Sequence, residues 1–254
     1  MSKLPEQHKF VDLSDYGRPA ARVIASSLSK TNFTPIHVTC AFIFSGLIAI
    51  YCILNDFLLL AAIFLVIKSI LDAADGELAR IKKTPSYTGR YFDSIADIIL
   101  NLLIMLAIYK ISETSISYTI IAFLGLQLQG TLYNYYYVIH RNKMGGDTTS
   151  RIFENDTPVA MKGEKQKHVH LFFYIYNILY SNFDRIIYLL DKNATKGVDF
   201  PNWFLTAIST LGLGFQLLLI SIMLIIGWKE LIIPFFIGYT FLVIFFVWIR
   251  KVWL

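Results

Sequence analysis

Only two cysteines occur in the 254-residue chain. Cys40 and Cys52 fall on one apolar stretch, too far apart along a helix for a disulfide, so they read as small apolar fillers and say nothing about redox compartment. The first thirty residues lack an apolar core followed by a small-residue cleavage site, and no cleavable signal peptide is expected. No internal repeat and no low-complexity tract is visible. Charge is also sparse: Asp, Glu, Lys and Arg make up 16% of the chain against 56% hydrophobic residues, with a mean hydropathy of +0.55. Such a balance excludes an ordinary soluble domain.

What is abundant is long apolar blocks. A membrane-crossing helix needs about 20 predominantly apolar residues, and six candidates lie near residues 36–55, 57–79, 91–111, 116–139, 203–227 and 231–249. The expected fold is an all-α, polytopic integral membrane bundle of six transmembrane helices. Its domain (34–254) follows a cytoplasmic or interfacial arm (1–33). In that arm an amphipathic helix, roughly Tyr16 to Ser29, is expected to lie on the bilayer with Arg18, Arg22 and Lys30 toward headgroups. Thr34-Pro35 reads as the N-cap and first turn of the first span. Residues 141–200 form a cytoplasmic insert, within which Val169–Asp191 reads as an interfacial helix in preference to a seventh span. Of the 23 Lys and Arg residues, all but Lys68, Lys110 and Lys229 fall on one side of a six-span chain. The positive-inside rule therefore places both termini in the cytoplasm. Nucleic acid is not among the partners this charge distribution suggests.

One stretch breaks the apolar pattern. In "LDAADGELARIKKTPSYTGRYFDSIAD", Leu71 to Asp97, four aspartates lie at or inside the ends of the second and third candidate spans. Lys68, Asp72, Asp75 and Ala79 share one helix face, and Asp93 and Asp97 share another. A polar loop, Ile81–Thr88, makes the two helices antiparallel neighbours, so the carboxylates converge. Four carboxylates together require compensation, and two Mg²⁺ or Mn²⁺ ions with oxygen ligands supply it. Paired divalent ions are a recurring device of phosphoryl transfer. Gly76 and Gly89 leave backbone open to a diphosphate, Ala79 keeps the wall small, and Arg80 offers a guanidinium fork. The plain alternative, helix caps and surface ion pairs with Arg80, Lys82, Lys83 and Arg90, is the weaker one, because an intramembrane carboxylate is by default functional. Lys68 either steadies the cluster or binds phosphate, or it pairs with Asp72. Arg141, Arg151 and Arg185 are candidates for an acceptor-phosphate site. The histidines, His37, His140, His168 and His170, have no ligand-like spacing except His168 with His170.

Asp72-x2-Asp75-Gly76-x2-Ala79-Arg80-x8-Gly89-x3-Asp93-x3-Asp97 matches the eight-residue signature of the CDP-alcohol phosphotransferase family, and the chain resembles that family over most of its length. "TPIHVT", Thr34–Thr39, is similar to the family's opening of the first helix, with Ile36 where an Asn is usual. The resemblance implies an alcohol attacking the β-phosphate of a CDP-linked lipid or headgroup, with release of CMP. It implies Asp72, Asp75, Asp93 and Asp97 as ligands of two metal ions, with Asp97 also the general base. Gly76, Ala79, Arg80, Gly89 and Thr39 are implied to line the CDP site, and Lys68 and Arg141 are candidates for acceptor or phosphate binding. A homodimer is implied as well. Two donors stay open: CDP-diacylglycerol with a small polar alcohol, or CDP-choline or CDP-ethanolamine with diacylglycerol. A cation transporter would need paired broken helices in an inverted repeat, and the sequence has neither.

Overall fold

A computed structural model describes residues 4–146, 153, 156–197 and 199–254, and among these every regular element is helical. Helix α1 spans Arg18–Leu28, α2 Pro35–Leu54, α3 Leu58–Lys82, α4 Tyr87–Ile111, α5 Ile116–Lys143 and α6 Gln166–Leu190. They are followed by α7 (Asn202–Ile208), α8 (Leu213–Ile225), α9 (Ile232–Tyr239) and α10 (Phe241–Trp253). The start of α2 follows from its sequence. Pro35 fits the first helical position, and His37 Nδ1 accepts from the Thr34 amide at 2.9 Å, closing the turn.

Three described stretches are long and apolar enough to cross a membrane: α2, α4 and the run Lys229–Trp253. A fourth is α7 with α8, if that pair, bent by 54°, counts as one. Helices α3 and α5 are as long, but Lys68 and the aspartates interrupt one and glutamines and an asparagine interrupt the other. The 203–227 stretch is therefore not the single straight span its composition predicts. It breaks because a 3-10 turn of the N-terminal arm, Leu13–Asp15, docks at the break. The Leu13 amide donates to Ser209 Oγ at 2.8 Å, and the Gly214 amide donates to Ser14 Oγ at 3.1 Å. A Cβ on Gly214 would stand 1.9 Å from the Ser14 carbonyl oxygen, so only glycine admits the arm there.

The arm itself is corrected too. Helix α1 does not simply lie outside the bundle: Ala21 and Ala25 pack against Ala74 and Leu78 of α3. Arg18 turns inward to Asp15 and Glu77, whereas Arg22 and Lys30 stay exposed. The link between α3 and α4 is also shorter than Ile81–Thr88. Helix α3 continues to Lys82, Lys83 ends it in the left-handed conformation (φ 54°), and α4 begins at Tyr87.

Packing differs between the two ends of the bundle. The α2–α3, α4–α5 and α8–α9 connections meet at one end. There Lys229 pairs with Asp56 at 3.1 Å and the Glu113 amide donates to Glu230 at 2.7 Å. Beneath them lies a closed apolar core that includes Ile53, Leu65, Ile108 and Phe236. The opposite end holds the aspartates. Both ends of α6 are tied to that end, Phe173 against Tyr91 and Asp191 against Tyr136. Helix α6 therefore runs across it instead of down to the far connections.

Asp191 and Arg250, both buried, form an ion pair that anchors α10. Tyr136 OH donates to Asp191 Oδ2 at 2.7 Å and Tyr135 OH to its carbonyl at 2.8 Å. Removing one partner of such a pair strands a buried charge and costs about 3–5 kcal/mol, whereas replacing both by apolar residues is often neutral. Arg250→Met is expected to lower the melting temperature in detergent by several degrees, and Asp191→Leu added to it to recover most of the loss. Equal melting of the single variant and the wild type would refute this role.

Candidate active site

The carboxylates converge because α3 and α4 are antiparallel across a four-residue link. Asp72, Asp75 and Asp93 each present a carboxylate oxygen within 4.8 Å of the others. Opposite ligands of a divalent ion with oxygen bonds of 2.0–2.6 Å stand about 4–5 Å apart, so the three fit one ion. Asp93 Oδ1 is buried without a hydrogen-bond partner, as a ligand oxygen awaiting a cation would be. Asp75 Oδ2 accepts from Thr39 Oγ1 at 2.6 Å, which fixes the carboxylate's orientation.

Asp97 is placed differently. Its Oδ1 accepts from Lys68 Nζ, which also bonds Asp72 Oδ2 at 3.3 Å. Lys68 is fully buried and lies 4.8 Å from the centre of the Phe42 ring. The ammonium thus bridges an aspartate of each helix. One cation cannot neutralise four carboxylates, and the remaining negative charge favours a divalent ion in the Asp72–Asp75–Asp93 group.

These residues open onto a cavity of 1560 Å³. Gly76, Ala79, Arg80, Gly89 and Asp97 line it, and so does Thr39. A Cβ at Gly76 would stand 3.5 Å from the Arg80 guanidinium nitrogens, so glycine keeps open the space beneath that fork. Arg80 is held by Glu77 at 3.3 Å, and Glu77 is shared with Arg18 of α1. Arg141 is buried and lines the same cavity, over the Tyr137 ring at 5.6 Å. Arg185 is exposed and does not line it, and Arg151 lies outside the described residues. No histidine joins the carboxylate group among the described residues; His37 caps α2, and His140 Nε2 faces the His8 carbonyl at 3.3 Å.

Several cavity residues escape a reading by spacing. Asp12, which accepts from Tyr133 OH at 2.5 Å, comes from the N-terminal arm, and Glu164 comes from the segment before α6. Neither carries a local motif.

The chain belongs to the CDP-alcohol phosphatidyltransferase family, whose model matches residues 32–196. That range includes α2 to α6 and every signature residue, and it extends through the segment between α5 and α6. Comparison with curated proteins finds no match. The family is membrane-bound, acts on CDP-linked substrates and lipid, and generally uses a divalent metal.

If Lys68 supplies the internal countercharge, Lys68→Met should leave the carboxylates uncompensated, a loss of about 3–5 kcal/mol. The variant is expected to melt well below the wild type in EDTA and to regain much of the difference on adding Mn²⁺. A variant equally stable in EDTA, or not rescued by the metal, would exclude this role.

Proposed function

We propose that the protein transfers a phosphatidyl group from CDP-diacylglycerol to a small polar alcohol and releases CMP. The observation that carries this reading is the placement of buried Arg141 in the same cavity as the aspartates, far from the signature in sequence. A buried guanidinium in the same cavity as the metal-type cluster suits an anionic, water-soluble acceptor, whereas diacylglycerol would offer it nothing to bind.

The residues divide the work as follows. Asp72, Asp75 and Asp93 would hold a divalent cation, Mg²⁺ or Mn²⁺, with Asp97 beside a second. Bound there, such ions neutralise diphosphate charge and stabilise the leaving phosphate. Arg80 binds donor phosphate oxygen, and Gly76 and Gly89 let the diphosphate approach backbone. Asp97, oriented by Lys68 and lining the cavity, takes the proton from the acceptor hydroxyl. The hydroxyl oxygen then bonds the β-phosphorus, the bond between that phosphorus and the bridging oxygen breaks, and CMP leaves. Six crossings fit the alternation of ends: α2, α3, α4, α5, α7 with α8, and α9 with α10. The site and both termini would then face the cytoplasm, with α6 at the interface. We place a homodimer in the same reading, formed through membrane helices.

CMP release from CDP-diacylglycerol should be measured in detergent with Mg²⁺ or Mn²⁺, separately for inositol phosphate, glycerol phosphate, serine and inositol. One phosphorylated alcohol is expected to stimulate release. Asp97→Asn should lower it by about 10²–10⁴-fold, the range for loss of a general base. Arg141→Met should raise the KM for that alcohol more than it lowers kcat. Release driven by CDP-choline or CDP-ethanolamine with diacylglycerol, and by none of the four alcohols, would overturn the proposal in favour of headgroup transfer.

A further inference from the structure

The segment between α5 and α6 reaches back to the signature through the Glu164 side chain. Lys162, Gly163 and Glu164 line the cavity, and Gly163 turns the chain there with φ +94°. Glu164 Oε1 accepts from Ser86 Oγ at 2.8 Å and from the Thr88 amide at 2.7 Å. Its Oε2 accepts from the Tyr87 amide at 3.2 Å and from the Met161 amide at 3.0 Å. The carboxylate therefore joins the turn that carries it to the first turn of α4.

The first amides of a helix have no partner within it and must find one elsewhere. In α4, Tyr87 and Thr88 donate to Glu164, Gly89 donates to Ser86 Oγ at 2.8 Å, and Arg90 donates to the Ser86 carbonyl at 3.1 Å. Half of this cap is supplied from a remote segment. Gly89 belongs to it as well, because a Cβ there would stand 3.2 Å from Ser86 Oγ. Asp93 follows Gly89 by one helical turn on the same face. Whatever fixes the first turn of α4 thus fixes the donor-facing glycine and one metal-type ligand together.

The turn bearing Glu164 is itself braced. The Ala160 amide donates to Gln166 Oε1 at 2.8 Å, and Gln166 Nε2 donates to the Pro158 carbonyl at 3.0 Å. Ala160 packs with Tyr91, Val169 and Phe173. Burial opposes ionisation of Glu164, but the Thr88 amide and the other donors outweigh it and hold the carboxyl below its ordinary value. The latch is a carboxylate at neutral pH and complements the positive end of α4.

We propose that Glu164 is a positioning residue for the transfer, setting the first turn of α4 so that Gly89 and Asp93 meet the donor's diphosphate and its metal. The proposal rests on the phosphatidyl-transfer reading for its kinetic part, but the cap can be tested without it. Glu164→Gln places an amide group among four donors, Glu164→Asp keeps the charge on a shorter stem, and Ser86→Ala removes the relay to Gly89. Amide hydrogen exchange of the peptide covering 86–93, melting temperature, Mn²⁺ affinity and donor kinetics should be measured on the full chain in detergent.

For Glu164→Gln, exchange at Tyr87 and Thr88 is expected to quicken at least tenfold with little change in melting temperature, as loss of a local cap requires. Mn²⁺ affinity should fall and the KM for the CDP-linked donor should rise by about tenfold, with kcat changed less. Glu164→Asp should recover part of each effect. Unchanged exchange would show that the cap is not held in solution and would overturn the proposal. Faster exchange with wild-type Mn²⁺ affinity and donor KM would make Glu164 structural only and overturn it equally. If Glu164→Gln fails to fold, Ser86→Ala and Glu164→Asp decide by the same readouts. A wild type that turns over no CDP-diacylglycerol would defeat the function proposed above, while exchange and Mn²⁺ affinity would still decide the role of Glu164.

Discussion

Four carboxylates inside a bundle of apolar helices cannot be left to their mutual repulsion, and the cation that meets them first comes from one of the same helices. Lys68 Nζ reaches Asp72 on α3 and Asp97 on α4 and lies over the Phe42 ring. Water cannot compensate a fully buried ammonium, so its partners have to stay in place. That requirement fixes the register of α3 against α4. The Lys83–Ser86 link joins them at one end, and the lysine pins them again well inside the bundle. Asp72, Asp75 and Asp93 then fall into one group because the helix repeat leaves them no other arrangement.

Part of the wall of this cavity comes from outside residues 32–196, from the N-terminal arm and the start of α8. Asp12 and Ser14 of the arm meet Tyr133 and the α8 start, where Gly212 and Gly214 let the backbone in. Gln216, one turn on, donates to the Leu126 carbonyl at 3.1 Å and to Gln129 Oε1 at 3.0 Å. The family-matched helices carry the carboxylates, and the flanking segments add to the wall of the same cavity. A break in α7–α8 is the structural consequence, since a straight helix would leave no room for the arm.

The parts legible in the sequence were those governed by local periodicity. Helical spacing put Lys68 with Asp72 and Asp75, and Asp93 with Asp97; antiparallel pairing across a short link brought the two faces together. Apolar length marked α2, α4 and the last helical run. The Thr34-Pro35 pair marked the start of α2. What escaped depended on contacts between distant segments. Arg18 reads as a headgroup-facing cation until Glu77 is known to lie opposite it. Thr39 lines the cavity, but the bond from its hydroxyl to Asp75 is not legible in the sequence. The bend at 209–212 is invisible in an apolar stretch whose composition suits a straight span, because its cause lies two hundred residues earlier. Glu164 stands in an unremarkable polar segment and gains its role only through the donors of α4.

The two ends of the bundle are stabilised by different means, and the difference follows from the cavity. At the far end, aliphatic and aromatic side chains close over one another, and non-directional burial suffices. At the site end much of that area is given up to a hollow, so directional contacts have to replace it. Arg250 with Asp191, Tyr136 with the same carboxylate, Tyr133 with Asp12, and Glu164 with α4 each add a directional contact between segments that smaller apolar clusters also join. Each of these acids has its donors within the protein. In the Asp72–Asp75–Asp93 group Asp72 and Asp75 have one donor each, Lys68 and Thr39, and Asp93 Oδ1 is buried with none. A fold that satisfies its peripheral carboxylates and leaves the central ones short of positive charge is built to draw in a cation from solution.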